Sequence, residues 1–149
     1  MELKNGQRGQ VLAALCAVGM YLALDAGTAR AADLQGDWRT PYPGTVRIAP
    51  CGDALCGHVI AFDPPAGMTQ ESARDVNNPD PDKRDRPILG IEVLSGLKQE
   101  GGTWRGRGYD PERGIAADAT VTLNGEDKLT IRGCILYVLC ENVNWTRVP

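Results

Sequence analysis

Apolar and polar residues alternate with a period of two along most of the chain, a pattern typical of strands that bury one face. The longest alternating run places Ile115, Ala117, Ala119, Val121 and Leu123 on one face. Shorter apolar or alternating segments lie at 36–40, 45–48, 55–62, 88–97, 103–109, 129–131 and 142–148. Turn-forming residues separate them, and Asn124-Gly125 is the strongest hairpin signal.

This pattern predicts an all-β fold of about eight short antiparallel strands. No segment sustains the 3.6-residue apolar spacing of an amphipathic helix. A small antiparallel β-barrel is the most economical arrangement, because closure removes the open edges of the sheet. A two-sheet sandwich is the alternative.

Residues 1–31 have the features of a secretory signal peptide. Lys4 and Arg8 precede an uncharged apolar run at 11–24, and Ala29-Arg30-Ala31 forms a small-x-small cleavage site. We therefore expect a single domain at 32–149 in the periplasm or outside the cell. No membrane span is expected after cleavage, because no second apolar run reaches membrane length.

Four cysteines remain after the predicted cleavage: Cys51, Cys56, Cys134 and Cys140. An even number in an exported chain indicates disulfides, and the close spacing within each pair favours two local bridges. A zinc site made of all four is the alternative, but the usual C-x2-C pairs are missing.

Charge argues against a nucleic-acid partner. The predicted mature chain has 13 Lys and Arg against 17 Asp and Glu, a net charge of −4, with no basic stripe.

The stretch 75–87 is too polar for a core and contains three prolines, so it is predicted to be a surface loop. Its side chains suggest local anchoring, for which the candidate residues are Asp75, Asn77, Asn78, Asp80 and Arg86. We expect the Asp and Asn oxygens to accept bonds from backbone N–H groups, and at least one carboxylate to pair with an arginine. A calcium loop is disfavoured, because Lys83 stands where an EF-hand starting at Asn78 needs glycine. Neither a metal nor a cofactor is predicted.

Several motifs resemble a family of small exported bacterial proteins classed only as a domain of unknown function. They are R-I-A-P-C-G-D-A-L-C-G at 47–57, D-V-N-N-P-D at 75–80, R-P-I-L-G at 86–90, W-R-G at 104–106, Y-D-P at 109–111 and W-T-R at 145–147. The resemblance implies a lipocalin-like β-barrel, with no established chemistry.

A second resemblance agrees with the first. Gly36-Asp37-Trp38 is similar to the Gly-x-Trp that opens lipocalins, which implies that Arg147 on the last strand packs over Trp38 and closes the barrel. The Thr-Asp-Tyr signature of lipocalins is absent.

The candidate ligand-binding residues lie on the strand 103–109. They are Trp104, Arg105, Arg107 and Tyr109. Gly106 and Gly108 share the face of Trp104 and leave space there, either for a bend or for a ligand. The working hypothesis is a binding module that holds a small, partly apolar ligand near Trp104 and Tyr109.

Two other function classes are kept as alternatives. One is a hydrolase of the cell envelope that uses paired carboxylates. The other is a protein–protein adaptor that docks through residues 75–87, with no particular partner indicated. No catalytic residue is assigned, because His58 is the only histidine and no serine lies in a G-x-S-x-G elbow.

Overall fold

The computed structural model describes residues 34–42 and 44–149. The predicted signal peptide lies outside the described residues. Eight strands follow one another: β1 (Gly36–Thr40), β2 (Gly44–Cys51), β3 (Ala54–Phe62), β4 (Glu92–Glu100), β5 (Thr103–Asp110), β6 (Ile115–Leu123), β7 (Lys128–Ile135) and β8 (Leu139–Arg147). Each strand pairs antiparallel with the next, and β8 returns to pair with β1. The predicted eight-stranded antiparallel barrel is confirmed.

Helix contributes little to the described part of the chain. A single 3-10 turn, Pro81–Lys83, lies in the β3–β4 connection. No helix in the described ranges is long and apolar enough to cross a bilayer.

The barrel closes where Arg147 of β8 pairs with Trp38 of β1. The guanidinium carbon lies 4.2 Å from the centre of the indole ring, a cation–π contact. The same guanidinium donates to the carbonyl oxygens of Gln35, at 2.8 Å, and Glu126, at 2.7 Å. Gly36 makes room for it, because a Cβ there would lie 2.8 Å from Arg147 Nη1. This end of the barrel is therefore sealed by backbone as well as side chains.

The core is densest at this closed end. Its most buried apolar side chains are Leu34, Trp38, Ile48, Leu97, Val121 and Leu129. Burying each large apolar side chain contributes about 1.5–3 kcal/mol, so this layer carries much of the stability.

The outer wall carries ion pairs between neighbouring strands. Asp37 and Arg47 lie directly opposite each other on β1 and β2. The guanidinium donates twice to the carboxylate, at 2.7 and 2.8 Å. This hydrogen bonding, with a smaller Coulombic contribution, holds the pKa of Asp37 below its ordinary value despite slight burial.

Both predicted local disulfides are confirmed. Cys51–Cys56 joins the facing ends of β2 and β3, and Cys134–Cys140 joins the facing ends of β7 and β8. Cys134 and Cys140 are direct partners in the β7–β8 ladder. Each bridge therefore staples one hairpin close to its turn.

The prediction of a strand at 88–97 was wrong at its start. Ile88 N–H donates to the Ala73 carbonyl, and Ile91 N–H returns to the Ile88 carbonyl. Gly90 has a φ of +84°, so this stretch is a turn and β4 begins only at Glu92. The β3–β4 connection therefore runs over residues 63–91, which we name the mouth loop.

The Asn124-Gly125 hairpin forms, but not around the two-residue turn that its sequence favours. The connection holds four residues, 124–127, and only Gly125 among them has a positive φ. Asn124 uses its backbone N–H to bond the Lys128 carbonyl and its side chain to reach Thr130. These bonds are compatible with the longer loop.

Candidate ligand-binding site

A cavity of about 1030 Å³ occupies the end of the barrel opposite Trp38 and Arg147. We name this end the mouth. Apolar side chains from six strands form the inner wall: Val46, Val59, Val93, Ala119, Ile131, Val143 and Trp145. The volume lies at the upper end of the range for small-molecule pockets, about 300–1,000 Å³.

The cavity exists because the inward-facing side chains of three strands become smaller toward the mouth. On β5 the inward positions change from Trp104 to Gly108, and on β6 from Val121 to Ala117. On β7 the corresponding position near the mouth is Gly133. On these three strands large side chains thus fill the closed end of the barrel, and smaller ones border the cavity.

The two glycines of β5 have different roles. A Cβ at Gly106 would lie 2.4 Å from the Ser95 carbonyl oxygen, so this glycine allows the backbones of β4 and β5 to approach closely. A Cβ at Gly108 would make only ordinary contact, 3.5 Å from the Ala119 Cβ, and Gly108 lines the cavity. The space predicted for a ligand is therefore present at Gly108, whereas Gly106 allows a close approach of two strands, which was not predicted from the sequence.

The mouth loop is fixed to β5 by a buried carboxylate. Asp75 has no exposed surface. Its Oδ1 accepts a hydrogen bond from the Tyr109 hydroxyl at 2.6 Å, and its Oδ2 accepts from Asn78 Nδ2 at 2.7 Å. Arg86 adds two contacts to Oδ2, from Nε at 2.9 Å and from Nη2 at 2.8 Å, and lies 5.3 Å from the centre of the Tyr109 ring. We name these four residues the Asp75 cluster.

The expected carboxylate–arginine pair is therefore Asp75–Arg86. The expectation of backbone N–H donors holds for Asn78 and Asp80, whose side-chain oxygens accept hydrogen bonds from the N–H groups of Asp80 and Asp82. Asp75 differs, because the donors to its carboxylate are side chains. Burial, and then the hydrogen bond to Asp75, raise the pKa of Tyr109. The phenol accordingly stays protonated as a donor.

A second contact ties the mouth loop to the β5–β6 turn. Asn77 Nδ2 donates to the Glu112 carbonyl at 2.7 Å. Gly114, with a φ of +66°, passes so close that a Cβ there would overlap the Asn77 carbonyl oxygen. The loop is thus held on the side of the barrel formed by β5 and β6.

Only one of the four residues proposed from the strand 103–109 borders the cavity, namely Tyr109. Trp104 is buried at the closed end, where its indole N–H has no hydrogen-bond partner among the described residues. Arg105 and Arg107 lie exposed on the outer wall, 3.3 Å from Glu100 and 3.0 Å from Asp118 respectively.

The cavity opens between the mouth loop and the β7–β8 hairpin. Exposed apolar residues border this opening: Met68 and Val76 on the loop, Val138 and Leu139 on the hairpin. We name residues 135–139 the hairpin tip. Its sequence, I-L-Y-V-L between two cysteines, is a visible signal of an exposed apolar turn, and no sequence-based prediction above includes it. An apolar run of this kind at a turn is unusual, because turns favour Gly, Asn, Asp, Pro and Ser.

No group of three or more His, Cys, Asp or Glu residues is arranged to hold a metal ion within the described ranges. His58 lies on the outer wall, with Nε2 3.7 Å from a Glu92 carboxylate oxygen.

A closed eight-stranded antiparallel barrel with an apolar cavity at one end has the architecture of a lipocalin-like protein. The solved structure of protein HP1028 from Helicobacter pylori, described as belonging to the lipocalin family, is similar to this chain with a TM-score of 0.65. The two are 21% identical, and the match covers 78% of this chain and 83% of HP1028, so the likeness concerns the fold.

The chain belongs to the bacterial family described as "Uncharacterized protein conserved in bacteria (DUF2147)", whose pattern matches residues 36–147. A comparison with curated proteins gives no match. The family thus agrees with the resemblance found in the sequence and assigns no activity.

Proposed function

We propose that this protein is an exported small-molecule-binding module that carries one apolar ligand in the barrel cavity. The observation that carries the proposal is the cavity itself, about 1030 Å³ with an apolar inner wall and an opening to solvent. The predicted signal peptide and the two disulfides support a location in the periplasm or outside the cell.

Contacts within the protein hold both sides of the opening. The Asp75 cluster and the Asn77–Glu112 contact fix the mouth loop on one side, while the Cys134–Cys140 bridge staples the hairpin on the other. A prearranged site loses less conformational entropy on binding, which favours affinity.

The alternatives gain less support. A carboxylate-dependent hydrolase needs carboxylates that can act on a substrate. Asp75 is buried and bonded within its own cluster, and Asp110 and Glu141 at the mouth both contact Arg113. The adaptor hypothesis requires an accessible 75–87 loop, and most of the loop is exposed, but no feature of the described residues indicates a particular partner.

Binding can be tested with N-phenyl-1-naphthylamine, an uncharged apolar probe whose fluorescence rises in an apolar site. We expect saturable binding with a stoichiometry of one. The variant Ala117→Trp places a large side chain on the cavity lining and should weaken binding at least tenfold. The matched control is Ala116→Trp, whose exposed side chain faces the outer wall and should leave binding unchanged.

Native mass spectrometry of protein purified from its own host then identifies any co-purified ligand. Equal binding by the two tryptophan variants, or no saturable binding by the wild type, would contradict the carrier proposal.

A further inference from the structure

We propose, resting on the carrier function above, that the natural ligand is an apolar molecule with a cationic group at its polar end, and that the mouth disfavours anionic amphiphiles. The proposal concerns the chemistry of the ligand rather than the existence of the cavity. It follows from the distribution of charge around the opening.

More acidic than basic residues line the cavity. The acidic ones are Asp63, Asp110, Glu112 and Glu141, and the basic ones are Arg74 and Arg113. They belong to the mouth loop, the β5–β6 region and the start of β8, all at the mouth. The lining therefore carries a net charge of −2 at its open end and an apolar wall further in.

One of the two arginines is already neutralised by carboxylates. Arg113 Nε lies 2.6 Å from Asp110 Oδ2, and Arg113 Nη1 lies 2.9 Å from Glu141 Oε2. These contacts raise the pKa of Arg113 well above its ordinary value, so its charge is permanent and internally matched. Because two carboxylates face one guanidinium, this group still leaves one negative charge.

The other arginine is folded onto its own loop. Arg74 Nη1 donates to the carbonyl oxygens of Glu71, at 2.6 Å, and Ala73, at 3.1 Å. Asp63 and Glu112 make no ion pair within the described residues. A polar group of a bound molecule thus meets more negative than positive charge at the opening.

The apolar cavity increases the effect of this imbalance. Low-dielectric walls reduce solvent screening and focus the field of nearby charges. An ammonium group held at the mouth gains attraction while its hydrocarbon part fills the interior. A carboxylate or phosphate in the same position is repelled.

The test compares three molecules with one hydrocarbon chain and different ends: dodecylammonium, dodecanol and dodecanoate. Each is titrated below its aggregation concentration against protein loaded with N-phenyl-1-naphthylamine, at neutral pH and low ionic strength. We expect dodecylammonium to displace the probe at roughly tenfold lower concentration than dodecanoate, with dodecanol between them. The difference should shrink in about 0.5 M salt, because exposed charges are screened there.

Two double variants distinguish the effect of charges at the mouth from the effect of the protein's net charge. Asp63→Asn with Glu112→Gln removes the two carboxylates without an ion pair, and should bring the three molecules within about twofold of one another. Glu126→Gln with Asp127→Asn changes the net charge equally, but lies in the β6–β7 connection at the closed end. This control should keep the full preference.

The outcomes distinguish the two proposals. If the three molecules displace the probe equally, or dodecanoate displaces it best, while Ala117→Trp still blocks binding, the charge inference is overturned and the carrier function stands. The charge inference is also overturned if both double variants lose the preference equally, because the preference would then depend on the net charge of the protein and not on the carboxylates at the mouth. If Ala117→Trp changes nothing, the carrier function fails first.

Discussion

Replacing the two residues at the centre of the hairpin tip should stabilise the protein. Leu136 and Tyr137 have φ values of +51° and +62°, the only non-glycine residues with positive φ among those described. Val138 N–H bonds back to the Ile135 carbonyl at 3.4 Å, closing a β-turn around them. A turn with positive φ at both central positions favours Asn-Gly. The variant to test is therefore Leu136→Asn with Tyr137→Gly.

The size of the gain follows from this conformation. The left-handed region costs an L-residue roughly 1–2 kcal/mol; Gly avoids this cost and Asn avoids part of it, so relief at two positions amounts to about 2–3 kcal/mol. Glycine also makes the unfolded chain more flexible, which lowers the free energy of unfolding by about 1 kcal/mol. Almost no burial is lost, because Leu136 is 78% exposed and Tyr137 is 86% exposed. The expected net increase in the free energy of unfolding is about 1–2 kcal/mol.

Urea unfolding followed by tryptophan fluorescence, with both disulfides intact, measures this difference. The control variant Leu136→Ala with Tyr137→Ala removes the same exposed apolar surface but introduces residues that do not favour the left-handed region. It should leave stability within about 0.5 kcal/mol of the wild type. An Asn-Gly variant no more stable than this control would refute the strain argument.

Three further perturbations probe the cluster, the β4–β5 approach and the outer wall. Asp75→Ala should cost about 2–4 kcal/mol in chemical denaturation, because the Tyr109 hydroxyl and the buried Asn78 amide lose their acceptor, whereas Asp80→Ala at the N-cap of the 3-10 turn should cost far less. Gly106→Ala should cost about 1–3 kcal/mol through overlap with facing backbone, and Gly108→Ala should be neutral or mildly stabilising, a contrast that thermal unfolding measures. The pKa of Asp37 is lowered in the folded protein, so its contribution to stability is complete above its unfolded pKa and is lost as the pH falls through the folded value; an NMR titration of that carboxyl showing an ordinary or raised pKa would contradict this.

The fold was predictable because its determinants are local or periodic. Alternation along β6 and the close spacing within each cysteine pair both depend on neighbours in the sequence. The Trp38–Arg147 contact is long-range, and it was anticipated only through a resemblance to proteins that share it.

The site was less predictable because it depends on how the mouth loop packs. Tyr109 has the outward strand parity of Arg105 and Arg107, yet the loop covers it and brings Asp75 to its hydroxyl across 34 residues. No periodic signal encodes that contact. The taper from Trp104 to Gly108 was visible in the sequence, but its meaning depended on knowing which end of the barrel is sealed.

Barrel closure also has a consequence for how the chain reaches its folded state. The contact between Arg147 and Gln35 joins residues 112 positions apart, near the two ends of the described chain. The strand pairs joined by short connections can form as successive hairpins, but β8 must be complete before β1 gains its second partner. Until then the chain is an open sheet with two unpaired edges, which are sites for pairing with other chains. Pairing of β1 with β8 closes the longest loop, so it has the largest entropic cost and should limit the folding rate. The last nine-residue strand thus ends the period in which the protein is prone to aggregate.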